Sequence, residues 1–229
     1  MSERTDLHLH EQLMLLALRD EKGTLESKAA MYSFALGGAI LAELSIAGRI
    51  RVAPGKKPNV DLVDKSPLGE PVLDECLQKV ATAKRRAKAV TWVQRFASIK
   101  RLRHRVAEGL CRRGILRDSE DKVLLFFTRK LYPTIDPRPE RRLVDRLREV
   151  VFTDSPPDPQ TATVVALANA AGLLAVHFDR KDLRRRKRHL KDIMENTPAG
   201  TAAEQAVRAA EQAAVAAIVA ASTAGATAG

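Results

Sequence analysis

Cysteine and aromatic residues are scarce in this sequence of 229 residues, which has two cysteines and 4% aromatic side chains. Cys76 and Cys111 lie outside any CxxC or paired Cys/His spacing. We therefore expect free thiols in a reducing compartment, and neither a disulfide framework nor a zinc site. With so few aromatics, the core must consist of Leu, Val, Ile and Ala. Hydrophobic residues make up 45% of the chain, an ordinary share for a globular protein with its own core.

Sequence signatures of enzymes are also missing. The chain contains no P-loop, GxGxxG, HExxH, GxSxG or kinase pattern. His8 and His10 are two positions apart, which would place them on different sides of a helix and makes metal chelation unfavourable. Acidic residues occur in groups at predicted helix starts or turns, where carboxylates cap backbone amides: Asp74/Glu75 and Asp118/Glu120/Asp121. We predict a non-enzymatic protein with no metal site and no cofactor.

Segments that would direct the chain into or through a membrane are not evident. The first six residues have no apolar stretch, so we expect no secretory signal. Residues 161–178 carry no charge over 18 positions, which touches the lower limit for a membrane span. They are rich in Ala and include Asn169 and His177, so a buried central helix explains them better. We expect a soluble, cytoplasmic protein.

Hydrophobic periodicity predicts a mainly α-helical fold. Helices are expected over about residues 7–18, 27–47, from 71 onward, 99–113, 137–152, 161–178 and 179–196. Gly37 and Gly38 lie inside the second helix, and without a Cβ they allow close approach of another helix or a ligand.

Two peripheral β-hairpins complete the predicted fold. Residues 49–52 and 59–63 alternate around a Pro/Gly turn, and residues 115–117 and 122–128 flank a polar turn at 118–121. Helix 99–113, Gly114 and the second hairpin form a winged-helix-like unit. We expect a single helical domain over 1–196. An Ala-rich C-terminal helix over 197–221 should pack on or near it, with a disordered tail at 222–229.

Charge is the strongest functional signal. The chain has 39 Lys and Arg against 28 Asp and Glu, a net charge of +11, which implies an anionic partner. Residues 84–113 carry eleven cations and one acid, Glu108. In the predicted helix 99–113, Lys100 and Arg103 are three positions apart and therefore neighbours on one face, with Arg101 and Arg105 close by. Two such cations can bind one phosphate.

Three interpretations fit this basic face. On an anionic membrane, each Lys or Arg near the surface contributes about 1 kcal/mol, so several suffice for reversible attachment. On DNA, residues 99–113 would act as a recognition helix and residues 123–129 as the wing, although Asn and Gln, which commonly read adenine, are missing from that helix. A basic surface for an acidic protein partner is the third.

Several segments resemble the Golgi phosphoprotein 3 family, in the family's order and over about Leu7 to Leu190. They are Leu7–Gly23 (LHLHEQLMLLALRDEKG), Leu36–Ile50 (LGGAILAELSIAGRI), Pro71–Glu75, the Trp92-Val93 helix and Leu102–Leu116 (LRHRVAEGLCRRGIL) with its hairpin. Each motif is short, and their order and spacing together carry the resemblance. The loss of some residues of the eukaryotic members, with the Ala- and Arg-rich composition, indicates a bacterial relative.

The resemblance implies a single helical domain that binds phosphatidylinositol 4-phosphate on a basic face. Two basic positions of the family site map on Lys100 and Arg103. The Trp and Arg of the eukaryotic site map on Lys28 and Gly37, so an anionic lipid phosphate headgroup is the more general expectation. The protein would attach to the membrane surface peripherally and reversibly.

The family's hydrophobic hairpin serves membrane contact and self-association, and corresponds to Val123–Pro133. Leu124, Leu125, Phe126 and Phe127 are therefore expected to contact a membrane or a second copy of the chain. The same residues also fit a strand that pairs into the core.

Overall fold

The structure is a computed structural model that describes residues 7–19, 24–25, 29–53, 58–123, 127–196, 212–221 and 223. It confirms the mainly helical prediction, with three two-stranded antiparallel ladders among the described residues. In chain order the elements are α1 Leu9–Ala17, β1 Leu18–Arg19, β2 Thr24–Leu25, α2 Ala29–Ile46, β3 Ile50–Val52, β4 Val60–Leu62, α3 Pro71–Ala81, α4 Ala89–Ala97, α5 Leu102–Arg112, β5 Ser119–Val123, β6 Phe127–Leu131, α6 Arg138–Phe152, α7 Pro159–Ala170, α8 Leu174–His177, α9 Arg180–Arg185, α10 Lys187–Asn196 and α11, residues 212–221.

The centre of the core is formed by α1, α2 and α7, which contact one another. Every residue of α1 is buried, and so are residues 161–168 of α7. Helices that are apolar on all sides belong inside a protein, which explains the uncharged stretch at 161–178. Among the described residues, no helix is both long and apolar enough to cross a membrane. This stretch forms two helices because the chain turns at Gly172, whose φ is +74°.

The paired glycines of α2 permit two close helix contacts. A Cβ on Gly37 would lie 2.5 Å from the carbonyl oxygen of Val93 and 3.1 Å from the amide nitrogen of Ala97, both in α4. A Cβ on Gly38 would lie 2.1 Å from the Cβ of Ala214 in α11. The expectation of close approach is therefore met by two helices on neighbouring sides of α2.

The second hairpin differs from its prediction. Its strands are β5 and β6, not residues 115–117 and 122–128. The polar residues 118–121 are predicted as a turn, but Glu120 lies opposite Lys130, whose ammonium donates to Asp118 at 2.9 Å. Opposite charges across the ladder favour a strand. Leu124, Leu125 and Phe126 lie outside the described residues, and Phe127 begins β6 without a described side chain.

The inference that His8 and His10 lie on different sides of a helix is wrong. His8 is the N-cap of α1 with an extended backbone, and the two rings stack with centroids 5.5 Å apart. His8 bonds Glu43 at 2.9 Å, and that bond raises the pKa of its imidazole. His10 is 1% exposed, and neither of its ring nitrogens has a hydrogen-bond partner among the described residues. No metal-binding group of three or more side chains occurs in the described part of the chain.

Burial of His10 predicts acid sensitivity. Desolvation, with smaller effects from His8 and Arg113, lowers the pKa of His10 to about 3. In the unfolded chain His10 takes up a proton near pH 6.5, whereas in the folded protein it does so only near pH 3. The free energy of unfolding therefore falls as the pH falls from about 6.5 towards 3. In His10→Leu, we expect the fall in unfolding free energy between pH 6.5 and 5 to be about 2 kcal/mol smaller than in the wild type, measured by urea denaturation. Parallel pH profiles would contradict this.

Two helical glycines predict opposite effects of alanine. Gly37→Ala should lower the unfolding free energy by about 1–3 kcal/mol, because the new methyl group would strike the backbone of α4. Gly109 in α5 is the matched control, since among the described residues a Cβ there would meet only the guanidinium of Arg112, at 3.7 Å. Gly109→Ala should raise stability by about 0.5–1 kcal/mol through helix propensity. Equal effects in denaturant titrations would show that the α2–α4 contact does not limit the packing.

Candidate phosphate-binding pocket

The turn between α4 and α5 leaves the first turn of α5 uncapped. Arg101, the N-cap of α5, has φ +58° and ψ +24°, a left-handed conformation that is uncommon outside glycine. No side chain caps the helix, and the amides of Arg103 and His104 find no acceptor among the described residues. Unpaired amides at a helix start carry partial positive charge, which favours an anion there.

A cavity of about 310 Å³ opens at this point, and we call it the α5 pocket. It is lined by residues from three helices and the intervening turn: Ser33, Ala97, Ile99, Arg101, Leu102, Arg103 and His104. Residues that carry a hydroxyl, two guanidinium groups and an imidazole thus line one space at a helix N-terminus. Together they offer donors from several directions to a tetrahedral oxyanion such as a phosphate.

The contact between α2 and α4 determines where Ser33 lies. Ser33 stands four residues before Gly37, so both are on one face of α2. Ala97, the last residue of α4, also lines the pocket, and its amide nitrogen would lie 3.1 Å from a Cβ on Gly37. The pocket therefore forms beside the close contact that Gly37 permits between the two helices.

The two arginines of the pocket differ in their charge partners. Arg101 lies 3.7 Å from Glu108, but that carboxylate is shared with Lys130 at 3.9 Å. Arg103 is half-buried and has no carboxylate within 4 Å in the described part of the chain. A guanidinium left without a counter-charge in a partly desolvated position favours binding of an external anion.

His104 is fixed by a hydrogen bond behind the pocket. Its Nδ1 lies 2.9 Å from the hydroxyl oxygen of Tyr132, whose side chain is 3% exposed. Burial is the largest cause of the lowered pKa of His104, followed by the charges of Arg101 and Arg103. Burial and the positive charge of the two arginines thus both favour the neutral imidazole.

Of the four cations predicted on the later basic helix, only Arg101 and Arg103 line the pocket. The helix α5 begins at Leu102 and not at Ile99, so Lys100 lies in the preceding turn, where it is exposed. The prediction that Lys100 and Arg103 are neighbours on one helix face is therefore wrong. Arg105 does not line the pocket, and its guanidinium forms a hydrogen-bonded ion pair with Glu75 on α3.

Of the two earlier site positions, Gly37 is described and is not among the residues that line the pocket. Gly37 is buried under α4, so it acts through packing. Lys28 lies outside the described residues. Ser33 and His104 were missed by the sequence analysis. Ser33 could have been found as a small hydroxyl residue one helical turn before Gly37, a glycine at a helix contact. His104 could have been found as the histidine next to Arg103.

The folded chain neutralises more of the cations in residues 84–113 than the sequence indicates. Carboxylates from distant parts of the chain pair with some of its cations, as Asp61 does with Arg86 at 2.6 Å and Glu11 with Arg113 at 2.6 Å. Among the described residues, the other seven cations of the stretch have no carboxylate within 4 Å: Lys84, Arg85, Lys88, Arg95, Lys100, Arg103 and Arg112. Intramolecular pairing thus narrows the free positive charge to fewer positions.

Comparison with known proteins gives one family over most of the chain. The model of the family described as Golgi phosphoprotein 3 (GPP34) matches residues 9–214. Vacuolar protein sorting-associated protein 74 of Schizosaccharomyces pombe is 30% identical over 139 residues, covering 52% of this chain and 41% of that protein. Its namesake in Eremothecium gossypii is 28% identical over 216 residues, covering 80% and 64% respectively. The matches cover less than two thirds of either relative.

The pocket predicts that neighbouring arginines differ in importance. Arg103→Ala should weaken the binding of inorganic phosphate by about tenfold or more, because a charge-assisted hydrogen bond contributes about 1.5–3 kcal/mol. Arg105→Ala removes the same charge but should change affinity less than about twofold, since Glu75 already engages that side chain. Phosphate titrations followed by NMR measure both. Equal losses would mean that net charge, and not the pocket, binds phosphate.

Proposed function

The chain belongs to the Golgi phosphoprotein 3 family, and we propose that it is a non-enzymatic peripheral membrane protein that binds phosphorylated lipid headgroups in the α5 pocket. The single observation that carries the proposal is Arg103, a half-buried guanidinium with no carboxylate within 4 Å among the described residues, at the uncapped start of a helix. The family is generally non-catalytic, which agrees with the missing enzyme signatures.

The chemistry of the pocket favours a phosphoinositide-type ligand. Arg101 and Arg103 supply charge-assisted hydrogen bonds, and Ser33 supplies a hydroxyl from the opposite helix. Phosphatidylinositol 4-phosphate, the ligand implied by the family, carries such a phosphate on an accessible headgroup. The resemblance implies that Lys28 and Gly37 stand at the positions of the eukaryotic Trp and Arg, so we extend the proposal to anionic lipid phosphates of this class.

Exposed cations outside the pocket would add diffuse attraction to the membrane. Lys100 adjoins the pocket, and Lys84, Arg85 and Lys88 precede the other end of α4, a helix of nine residues. That length corresponds to about 13 Å. Each cation near an anionic surface contributes about 1 kcal/mol, so the group supports reversible attachment.

The packing of α5 argues against its use as a DNA recognition helix. Leu102, Val106 and Leu110 are buried against the core, most other residues of the helix are half-buried, and Arg112 is its one exposed residue. A recognition helix needs a projecting face to enter the major groove. We therefore propose a lipid surface as the partner and treat nucleic acid as an outcome of the test. Self-association and a bacterial origin stay predictions.

Vesicle co-sedimentation tests the proposed function. The wild type should sediment with vesicles that contain phosphatidylinositol 4-phosphate and stay in solution with neutral vesicles. Lys100→Glu with Arg103→Glu should weaken binding at least about tenfold more than the matched control, Arg184→Glu with Arg188→Glu. Both variants change the charge equally, but only the first removes pocket hydrogen bonds of about 1.5–3 kcal/mol.

The control residues are suitable because Arg184 and Arg188 are exposed and have no carboxylate within 4 Å in the described ranges. Equal sedimentation with neutral and anionic vesicles would refute lipid docking. If both double variants lost the same affinity for vesicles, diffuse electrostatic attraction, and not the pocket, would explain membrane binding. Retention of duplex DNA at moderate salt, without lipid binding, would favour the nucleic-acid alternative.

A further inference from the structure

We propose that His104 binds the phosphate in the α5 pocket and takes up a proton when it does so. The protein then binds a phosphate monoester more tightly as the pH falls. This inference rests on the proposed function. It adds a residue to the recognition site and makes attachment sensitive to pH.

The geometry leaves one ring nitrogen of His104 for a ligand. His104 lines the pocket, and its Nδ1 is engaged by the hydroxyl of the buried Tyr132 at 2.9 Å. The ring is therefore held in place from behind, and Nε2 is the nitrogen that remains available. In neutral histidine, the Tyr132 hydroxyl can donate to Nδ1 while Nε2–H donates to the ligand. In the protonated ring both nitrogens donate, and the Tyr132 oxygen accepts.

Four charged groups besides the ligand act on this imidazole. Arg101 and Arg103 come from its own helix turn, Glu108 lies four residues further along α5, and Lys130 comes from β6. Three of the four are cations, and with burial they lower the pKa of His104 below its ordinary value. At pH 7 the imidazole in the empty pocket is therefore mostly neutral.

A bound phosphate reverses this balance. Its negative charge, beside His104, favours the protonated ring and raises the pKa of His104 in the complex. The complex then holds a proton that the free protein lacks, so affinity rises as the pH falls from the higher to the lower pKa. A difference of one pKa unit corresponds to about tenfold in affinity.

The same linkage distinguishes monoesters from diesters. A phosphate monoester carries about −1.5 to −2 at pH 7, whereas a diester carries one negative charge. The larger charge favours proton uptake by His104 more strongly. The pH response should therefore be steep for a monoester headgroup and shallow for an ordinary phospholipid diester.

The test compares the wild type with His104→Asn at pH 7.5 and pH 5.8. The asparagine amide occupies the position of Nδ1, so it can keep the bond to Tyr132, but it cannot take up a proton. Vesicles contain phosphatidylinositol 4-phosphate or, at equal charge, phosphatidylglycerol. The wild type should bind the monoester vesicles on the order of tenfold more tightly at the lower pH. His104→Asn should show no gain, or a loss, because the phosphate itself is partly protonated near pH 6.

Soluble competitors distinguish a lipid headgroup from free phosphate. Glycerophosphoinositol 4-phosphate should displace the protein from vesicles with the same pH dependence, and inorganic phosphate should do so only at higher concentration. Equal potency of the two would show that the site takes free phosphate. Either competitor acting in a His104-dependent, pH-dependent way supports the linkage.

The failures are separable. Equal pH slopes for the wild type and His104→Asn overturn the role of His104 while lipid binding stands. An equally steep response to phosphatidylglycerol overturns the monoester preference. If the wild type binds no anionic vesicle at either pH, the proposed function fails and this inference fails with it. Thermal unfolding of both proteins confirms that the variant is folded.

Discussion

The close contact between α2 and α4 determines the arrangement of the rest of the candidate site. At Gly37 the two helices meet so closely that a methyl group would lie 2.5 Å from a backbone oxygen of Val93. This distance brings Ser33, one turn earlier on α2, to the end of α4 and the turn that leads into α5. The pocket lies where Gly37 permits this close contact.

Charge pairing within the chain selects which cations stay available. Glu75 engages Arg105 and Glu11 engages Arg113, so parts of the basic stretch serve the fold. Glu108 is divided between Arg101 and Lys130. Among the described residues, Arg103 combines partial burial, a place in the pocket and the lack of a carboxylate within 4 Å. An unpaired, partly desolvated charge is unfavourable in the empty protein, and an anionic ligand relieves that cost.

The sequence was sufficient for the fold class and insufficient for the geometry of the site. The sequence predicts α2 close to its bounds and α3 at its first residue, and Gly114, with φ +72°, follows α5 as its C-terminal pattern indicated. The start of α5 was misplaced because Arg101 adopts a left-handed backbone that no propensity predicts for arginine. Ion pairs such as Arg105 with Glu75 join residues thirty positions apart, so spacing along one helix could not reveal them.

A crystal structure of the protein with bound glycerophosphoinositol 4-phosphate tests the central claim most directly. We expect the 4-phosphate to lie within hydrogen-bonding distance of the Arg103 guanidinium and the Ser33 hydroxyl, at the uncapped amides of α5. Density for the phosphate on the exposed arginines of 184–188, with an empty α5 pocket, would contradict the account.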